Sequence, residues 1–197
     1  MEPEGDARHP GRRVEGSDAQ PAPAVSLRPL GLEDVDAFMS WASDDRVMRH
    51  LKRPLCATRE EAVAQIRDTV LGHPWFRAIC VEGGRPVGQV NVWPYADEGG
   101  HRANLGYALA HDHWGRGIAT ATIKMVVGRV FEELPGLERL EAVTDVGNAR
   151  SQRALEKAGF QREGVLRSYI VRRGPAGVDA RDAAVYSFLS SDRPRLA

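Results

Sequence analysis

Apolar residues recur along the chain with two periods, and the switches between them mark out the elements. VSLRPL (25–30) alternates as a short strand does. In LEDVDAFMSWASD (Leu32–Asp44), Leu32, Val35, Phe38, Met39 and Trp41/Ala42 fall near helical spacing. TREEAVAQIRDTVLG opens with Thr58 and Glu61 in capping-box spacing and closes on Gly72, which predicts a second helix. WFRAICVE and PVGQVNVWPYA read as strands around EGGR, a Gly-Gly hairpin signal. RANLGYALA (Arg102–Ala110) is a further strand. A helix is predicted from Gly117 to about Leu134, followed by LERLEAVTD as a strand. NARSQRALEKAG is a short helix with Asn148 as N-cap and Gly159 as its stop. FQREGVLRSYIV and AAVYSFLS supply two final strands, with a polar Gly/Pro loop from Arg172 to about Arg181 between them.

The resulting order is β-α-α-β-β-β-α-β-α-β-β. Helices interrupt some strand steps and not others, so the expected class is α/β (α+β), with one mixed central sheet flanked by helices. A dinucleotide-binding fold needs regular βα alternation and an acidic residue ending its second strand, and neither is present. The stretch before Val25 holds Val14 as its only large apolar residue among Pro, Gly and mixed charge. Such a segment cannot bury enough surface to order itself. The expected organisation is a disordered tail over 1–24, one domain over 25–190 and a short tail over 191–197.

Composition narrows the partners. Lys plus Arg and Asp plus Glu are equal at 27 each, which argues against a general nucleic-acid or membrane-surface binder. Cys56 and Cys80 stand outside any metal-ligand spacing, so no metal is expected and a reducing compartment fits. No apolar run approaches the ~18 residues a bilayer span requires. The expected location is the cytoplasm, with the nucleus as the other compartment open to such a chain.

HWGRGIATATIKMVV (His113–Val127) concentrates glycine at a helix entrance. Glycine weakens a helix interior, but at the entrance it leaves backbone N–H groups open to close approach. With the partial positive charge of the helix end, that entrance suits an anion such as phosphate.

The element order, together with YALAHDHWGRGIAT, NARSQRALEKAGF and REGVLR, resembles the GNAT superfamily of acyl-CoA-dependent N-acetyltransferases. The nearest branch looks like the group related to bacterial ribosomal-protein N-terminal acetyltransferases, and HPWFRAI and ERLEAVTDVGNARSQRALEKAGF are similar to its plant members. Trp114-Gly115-Arg116-Gly117-Ile118-Ala119 matches the last four positions of the family's Gln/Arg-x-x-Gly-x-Gly/Ala motif, with Trp in place of Gln/Arg. The resemblance implies acetyl-CoA as cosubstrate, with pyrophosphate cradled by the backbone of Gly115, Arg116, Gly117, Ile118, Ala119 and Thr120. It also implies a pantetheine arm between two splayed strands, paired with the backbone of Tyr107 and Leu109. The Leu109 N–H would then face the thioester oxygen. Asn148 would bond the pantetheine besides capping its helix, and Ser151 would protonate or hydrogen-bond the departing thiolate, with Tyr169 as the alternative hydroxyl.

The base is less defined. Relatives carry Glu in an Ala-Glu-x-Gly-Tyr context, where this chain reads Ala103-Asn104-Leu105-Gly106-Tyr107. Asn104 accepts no proton but can position a water. Asp97, Glu98 and His101 on the preceding loop are closer candidates than the histidines of His111–His113, which read as loop polarity. Trp41, Trp93 and Tyr95 are candidate walls of an acceptor pocket, Trp93 and Tyr95 foremost. The expected reaction is direct acetyl transfer to a primary amine (a protein N-terminus, a lysine or a small amine) in a ternary complex, by a monomer or homodimer. The alternative is an acetyl-CoA-binding sensor or adaptor without turnover.

Overall fold

The computed structural model describes residues 23–51, 53–96, 99–174 and 177–193. Among them runs one seven-stranded sheet in the order β1-β2-β3-β4-β5-β7-β6. Its strands are β1 (Ser26–Arg28), β2 (Phe76–Cys80), β3 (Pro86–Pro94), β4 (Arg102–Leu109), β5 (Arg139–Asp145), β6 (Gln161–Gly174) and β7 (Gly177–Leu189). Every neighbouring pair is antiparallel except β4 and β5. This is the expected mixed sheet with flanking helices.

Strand alternation sorts side chains onto two faces. On one, Ile79, Val90, Val92, Leu105 and Leu140 pack under α4 (Ile118–Glu133) and α5 (Ala149–Lys157). On the other, Phe76, Ala78, Cys80 and Ala108 pack under α1 (Val35–Ala42) and α3 (Arg59–Gln65). A fully buried side chain of this size contributes about 1.5–3 kcal/mol. Cys56 and Cys80 are both buried thiols in this second core.

Helix ends follow the sequence signals. Thr58 accepts from the Glu61 N–H, and the Glu61 carboxylate returns to the Ala57 N–H. Asn148 Oδ1 accepts from the Ser151 N–H at 3.2 Å. Other boundaries shift. The first predicted helix is a 3-10 turn (Leu32–Asp34) leading into α1, and α2 (Asp45–Met48) follows on its own Asp44 cap. The second predicted helix widens after Gln65 into a π turn, with the Leu71 N–H donating to the Ile66 carbonyl at 3.1 Å.

The loop predicted from Arg172 to about Arg181 is instead the far end of a long hairpin, with pairing continuing from Ile170↔Arg181 to Gly174↔Gly177. Its β7 residues, Gly177 to Ala180, are exposed, so no buried face imposes alternation and the composition reads as loop. Nearer the sheet, the β6–β7 register breaks between Leu166 and Ile170, where Ser168 adopts φ 50° and its N–H donates to Asp182. Bulges of this kind re-aim side chains, and this one sets Tyr169 and Ile170 against the cavity described next. The predicted tail over 1–24 lies almost wholly outside the described residues.

Candidate active site

The parallel pair β4–β5 is joined only over Arg102–Asn104 and Arg139–Glu141. Beyond that point the strands splay. The β3–β4 register runs without a break, with the Tyr95 N–H donating to Arg102 and the Ala110 N–H to Val87. Even-numbered β4 residues therefore direct their backbone groups at β3, and Leu105, Tyr107 and Leu109 direct theirs into the splay. A cavity of about 840 Å³ fills this opening and runs from the start of α4 to Trp93 and Tyr95.

At one end lies the glycine turn. Gly115 and Gly117 both adopt φ 76°, a conformation that disfavours side chains, and space beside Gly115 is open. Gly117 caps α4 without a side-chain bond, so the first-turn N–H groups of Ile118, Ala119 and Thr120 lie uncapped at the cavity. Trp114 stands where the resemblance expects Gln or Arg. Its indole N–H donates to the Leu109 carbonyl at 2.9 Å, and the Arg150 guanidinium lies 5.3 Å from its ring. The Leu109 carbonyl is thus already paired, and its N–H is the group left for a ligand. Arg116 is exposed and is not part of the described lining.

Midway, Ser151 and Tyr107 meet across the splay. The two hydroxyls are 2.7 Å apart, and the Tyr107 hydroxyl also approaches the Ser151 carbonyl at 3.3 Å. Burial pushes the Tyr107 phenol up to about 12, although the bond to Ser151 opposes the shift. Tyr107 therefore stays protonated at neutral pH. Tyr169 lines the same cavity and is 45% exposed.

At the far end, Trp93 pairs in register with Asn104 and stacks edge-on against His73, ring centroids 4.5 Å apart. The Tyr95 hydroxyl donates to Glu141 at 3.2 Å and also bonds Asn104. Burial and then the Glu141 charge raise the Tyr95 phenol above its ordinary range. Glu141 is held in turn by Arg139 at 2.7 Å and Arg102 at 3.5 Å. Sequence reasoning passed over Glu141 because it sits in a run of surface-like charges. Only the strand register, which brings it opposite Asn104, marks it out.

Trp41 corrects an expectation. It is 1% exposed in the α1 core, its indole N–H donating to the buried Gln89 at 3.1 Å, and it lines no part of the described cavity. A buried indole left unpaired would cost about 1–3 kcal/mol, so Gln89 serves packing here. His101 is exposed away from the described lining, and Asp97 and Glu98 lie outside the described residues. His111–His113 form a 3-10 turn, with His113 at the glycine end and its pKa lowered chiefly by burial. Among the described residues no cluster of His, Cys, Asp or Glu forms a metal site, and no helix is long and apolar enough to cross a membrane.

The donor set fits acetyl-CoA: uncapped N–H groups for a pyrophosphate, and an open strand edge for the amides of an extended arm. Residues 25–161 match the acetyltransferase (GNAT) domain. The N-acetyltransferase YoaA of Bacillus subtilis, itself uncharacterized, is 32% identical over 168 residues, covering 83% of this chain and 92% of its own. A GNAT-family acetyltransferase of Bacillus anthracis shares the fold at TM-score 0.74 and 23% identity, over 86% of this chain and 97% of its own. So does aminoglycoside acetyltransferase AAC(6')-Ib, solved in complex with acetyl-CoA, at TM-score 0.68 and 18% identity over 88% of this chain and 97% of its own.

Proposed function

The chain belongs to the GNAT acetyltransferase family and is an N-acetyltransferase, and from that premise we propose that it passes acetyl directly to a primary amine bound beside Trp93 and Tyr95. The observation that carries the reading is the splay: its open β4 edge leads from the uncapped start of α4, past Ser151, to an aromatic-walled end. Acetyl-CoA supplies the activated acyl thioester when bound. The acceptor class (protein N-terminus, lysine or small amine) and a kinship with ribosomal-protein acetyltransferases belong to this proposal.

Gly115 to Thr120 hold the pyrophosphate through backbone N–H groups, and Asn148, whose Oδ1 is engaged by its own helix, offers its amide N–H to the pantetheine. The Leu109 N–H stabilises negative charge developing on the acyl oxygen. Ser151 protonates the leaving sulfur and is reprotonated by the proton that the attacking nitrogen sheds as the amide forms, while Tyr107, protonated and 2.7 Å away, orients that hydroxyl. No cysteine is among the described lining residues, so the transfer uses no thiol nucleophile of the enzyme.

The acceptor arrives as ammonium and must lose a proton first. The described lining contains Arg53, Arg150, Arg153 and Lys157 but no Asp or Glu, and such a field favours the neutral amine. Within the lining, Tyr95 connects Asn104 to Glu141, which lies behind it. Asn104 positions the water that takes the proton, and Glu141, reached through Tyr95, receives it.

The test is acetyl-CoA turnover against a panel of primary amines, read as release of free thiol. An enzyme of this kind releases thiol only when an acceptor is present. Saturable acetyl-CoA binding with no release across the panel would favour the sensor or adaptor instead.

A further inference from the structure

Arg53 lies in the segment LKRPLC between α2 and α3 and forms part of the cavity wall at the Trp93 end. Its guanidinium carbon is 5.8 Å from the centroid of the Phe76 ring. Its Nη1 is shut off from solvent and makes no hydrogen bond to any described residue. Arginine does not escape by losing its proton, and a buried charge without a counter-charge is costly. Its neighbour gives no relief. His73 touches Phe76 and Trp93, accepts the Trp75 N–H on Nδ1, and is held near pKa 4 by burial and then by Arg53 itself, so it is neutral at pH 7.

The other charged lining residues sharpen the point. Arg150, Arg153 and Lys157 all belong to α5, and Arg150 stacks on Trp114 beside the glycine turn. Those cations suit the phosphates of the cosubstrate. Arg53 stands apart from them, among Asn91, Trp93 and Phe76 where the acceptor enters. With no Asp or Glu among the described lining residues, a polycationic amine meets only like charge there.

We propose that the acceptor is a primary amine that also carries a carboxylate, and that Arg53 binds this carboxylate while the amine is presented at the splay. The planar fork of a guanidinium matches a carboxylate in two parallel bonds, and Trp93, exposed in the cavity wall, lies along the apolar stem between the two ends. Arg53 is thus a specificity residue, remote from the bonds that change. The proposal rests on amine acetylation as the reaction.

The experiment uses the full chain and matched acceptors. One arm pairs ω-amino acids of increasing length with alkylamines of equal length. The other pairs N-terminal tetrapeptides bearing Glu or Asp with their Gln or Asn counterparts. The carboxylate members should show kcat/KM higher by about 10- to 100-fold, carried mainly by KM, in the arm that supplies the natural carboxylate. In Arg53→Gln that advantage should vanish, the carboxylate and neutral members of each pair reacting at equal rates, and Arg53→Lys should restore part of it. Equal rates within every pair for the unaltered enzyme would overturn the proposal whatever the variants do. So would an advantage undiminished in Arg53→Gln. Failure of every acceptor to release thiol would count against the transferase reading alone. Calorimetric titration of the same pairs onto CoA-saturated protein then decides Arg53: preference for the carboxylate member, lost in Arg53→Gln, supports the proposal, and equal binding refutes it.

Discussion

The Tyr107 phenol and the Ser151 hydroxyl, one from a strand and one from a helix, are held 2.7 Å apart across the opening between β4 and α5. If Ser151 supplies the proton for thiolate departure, Ser151→Ala should lower kcat by about 10- to 1,000-fold with little change in the KM for acetyl-CoA. Tyr107→Phe should reproduce part of that loss, and the double variant should be no worse than Ser151→Ala, since groups acting as one unit are non-additive. Full turnover in Ser151→Ala combined with a large loss in Tyr169→Phe would move the acid role to Tyr169.

Gly117→Val should abolish the thermal shift produced by CoA. A ligand at a hundred times its Kd adds ~2.7 kcal/mol, so the missing shift is easily read. The variant should also melt lower without ligand, because valine at φ 76° is strained by roughly 1–2 kcal/mol. A CoA shift as large as in the unaltered protein would remove the phosphate from the glycine turn.

Glu141→Gln tests the proton route through Tyr95. At pH 7 kcat/KM should fall about 10- to 100-fold. The deficit should shrink as pH rises toward the acceptor's own pKa, where the amine needs no base. A deficit of constant size from pH 7 to 10 would assign Glu141 to holding Arg102 and Arg139 in place.

Two acid-labile contributions to stability should separate along the pH axis. His73 is depressed from 6.5 to about 4, chiefly by burial and then by Arg53, so the unfolded chain binds more protons through that window. Stability should therefore fall as pH drops from about 6.5 to 4, and His73→Asn should flatten this part of a Tm–pH curve. Glu163 is lowered from 4.5 to about 2, first by its bond to Arg139 and then by Ser187, so its contribution is lost only below about 4.5. Glu163→Gln should leave the upper window untouched. A sag between 6.5 and 4 that persists in His73→Asn would place its source elsewhere.

Much of the fold was legible because its signals are local. Thr58 and Asn148 cap the helices they were expected to cap, and every predicted strand is present, the last two longer than expected. The missed features depend on what lies opposite. Trp41 has the composition of a pocket wall, but helical phase turns it onto Gln89 in the core. At the far end of the β6–β7 hairpin, Gly177 to Ala180 are exposed and no buried face imposes a pattern on them, so the stretch reads as loop. Glu141 becomes interesting only when the register puts it against Asn104, and Arg53 only when Phe76 and His73 close around it. Register and enclosure are long-range properties that no window of sequence contains.

The short β4–β5 pairing also bears on how the polypeptide behaves before it meets its cosubstrate. A free edge ordinarily sits at the rim of a sheet, where charges or a covering loop discourage foreign strands. Here two facing edges, Leu105–Leu109 and Ala142–Asp145, open in the sheet's interior between apolar side chains. Any extended segment able to match their backbone groups is a potential intruder, including one from a neighbouring unfolded chain. An amide-bearing arm lodged there would therefore act as a chaperone as well as a reactant, and soluble yield during refolding should rise with the CoA concentration in the buffer.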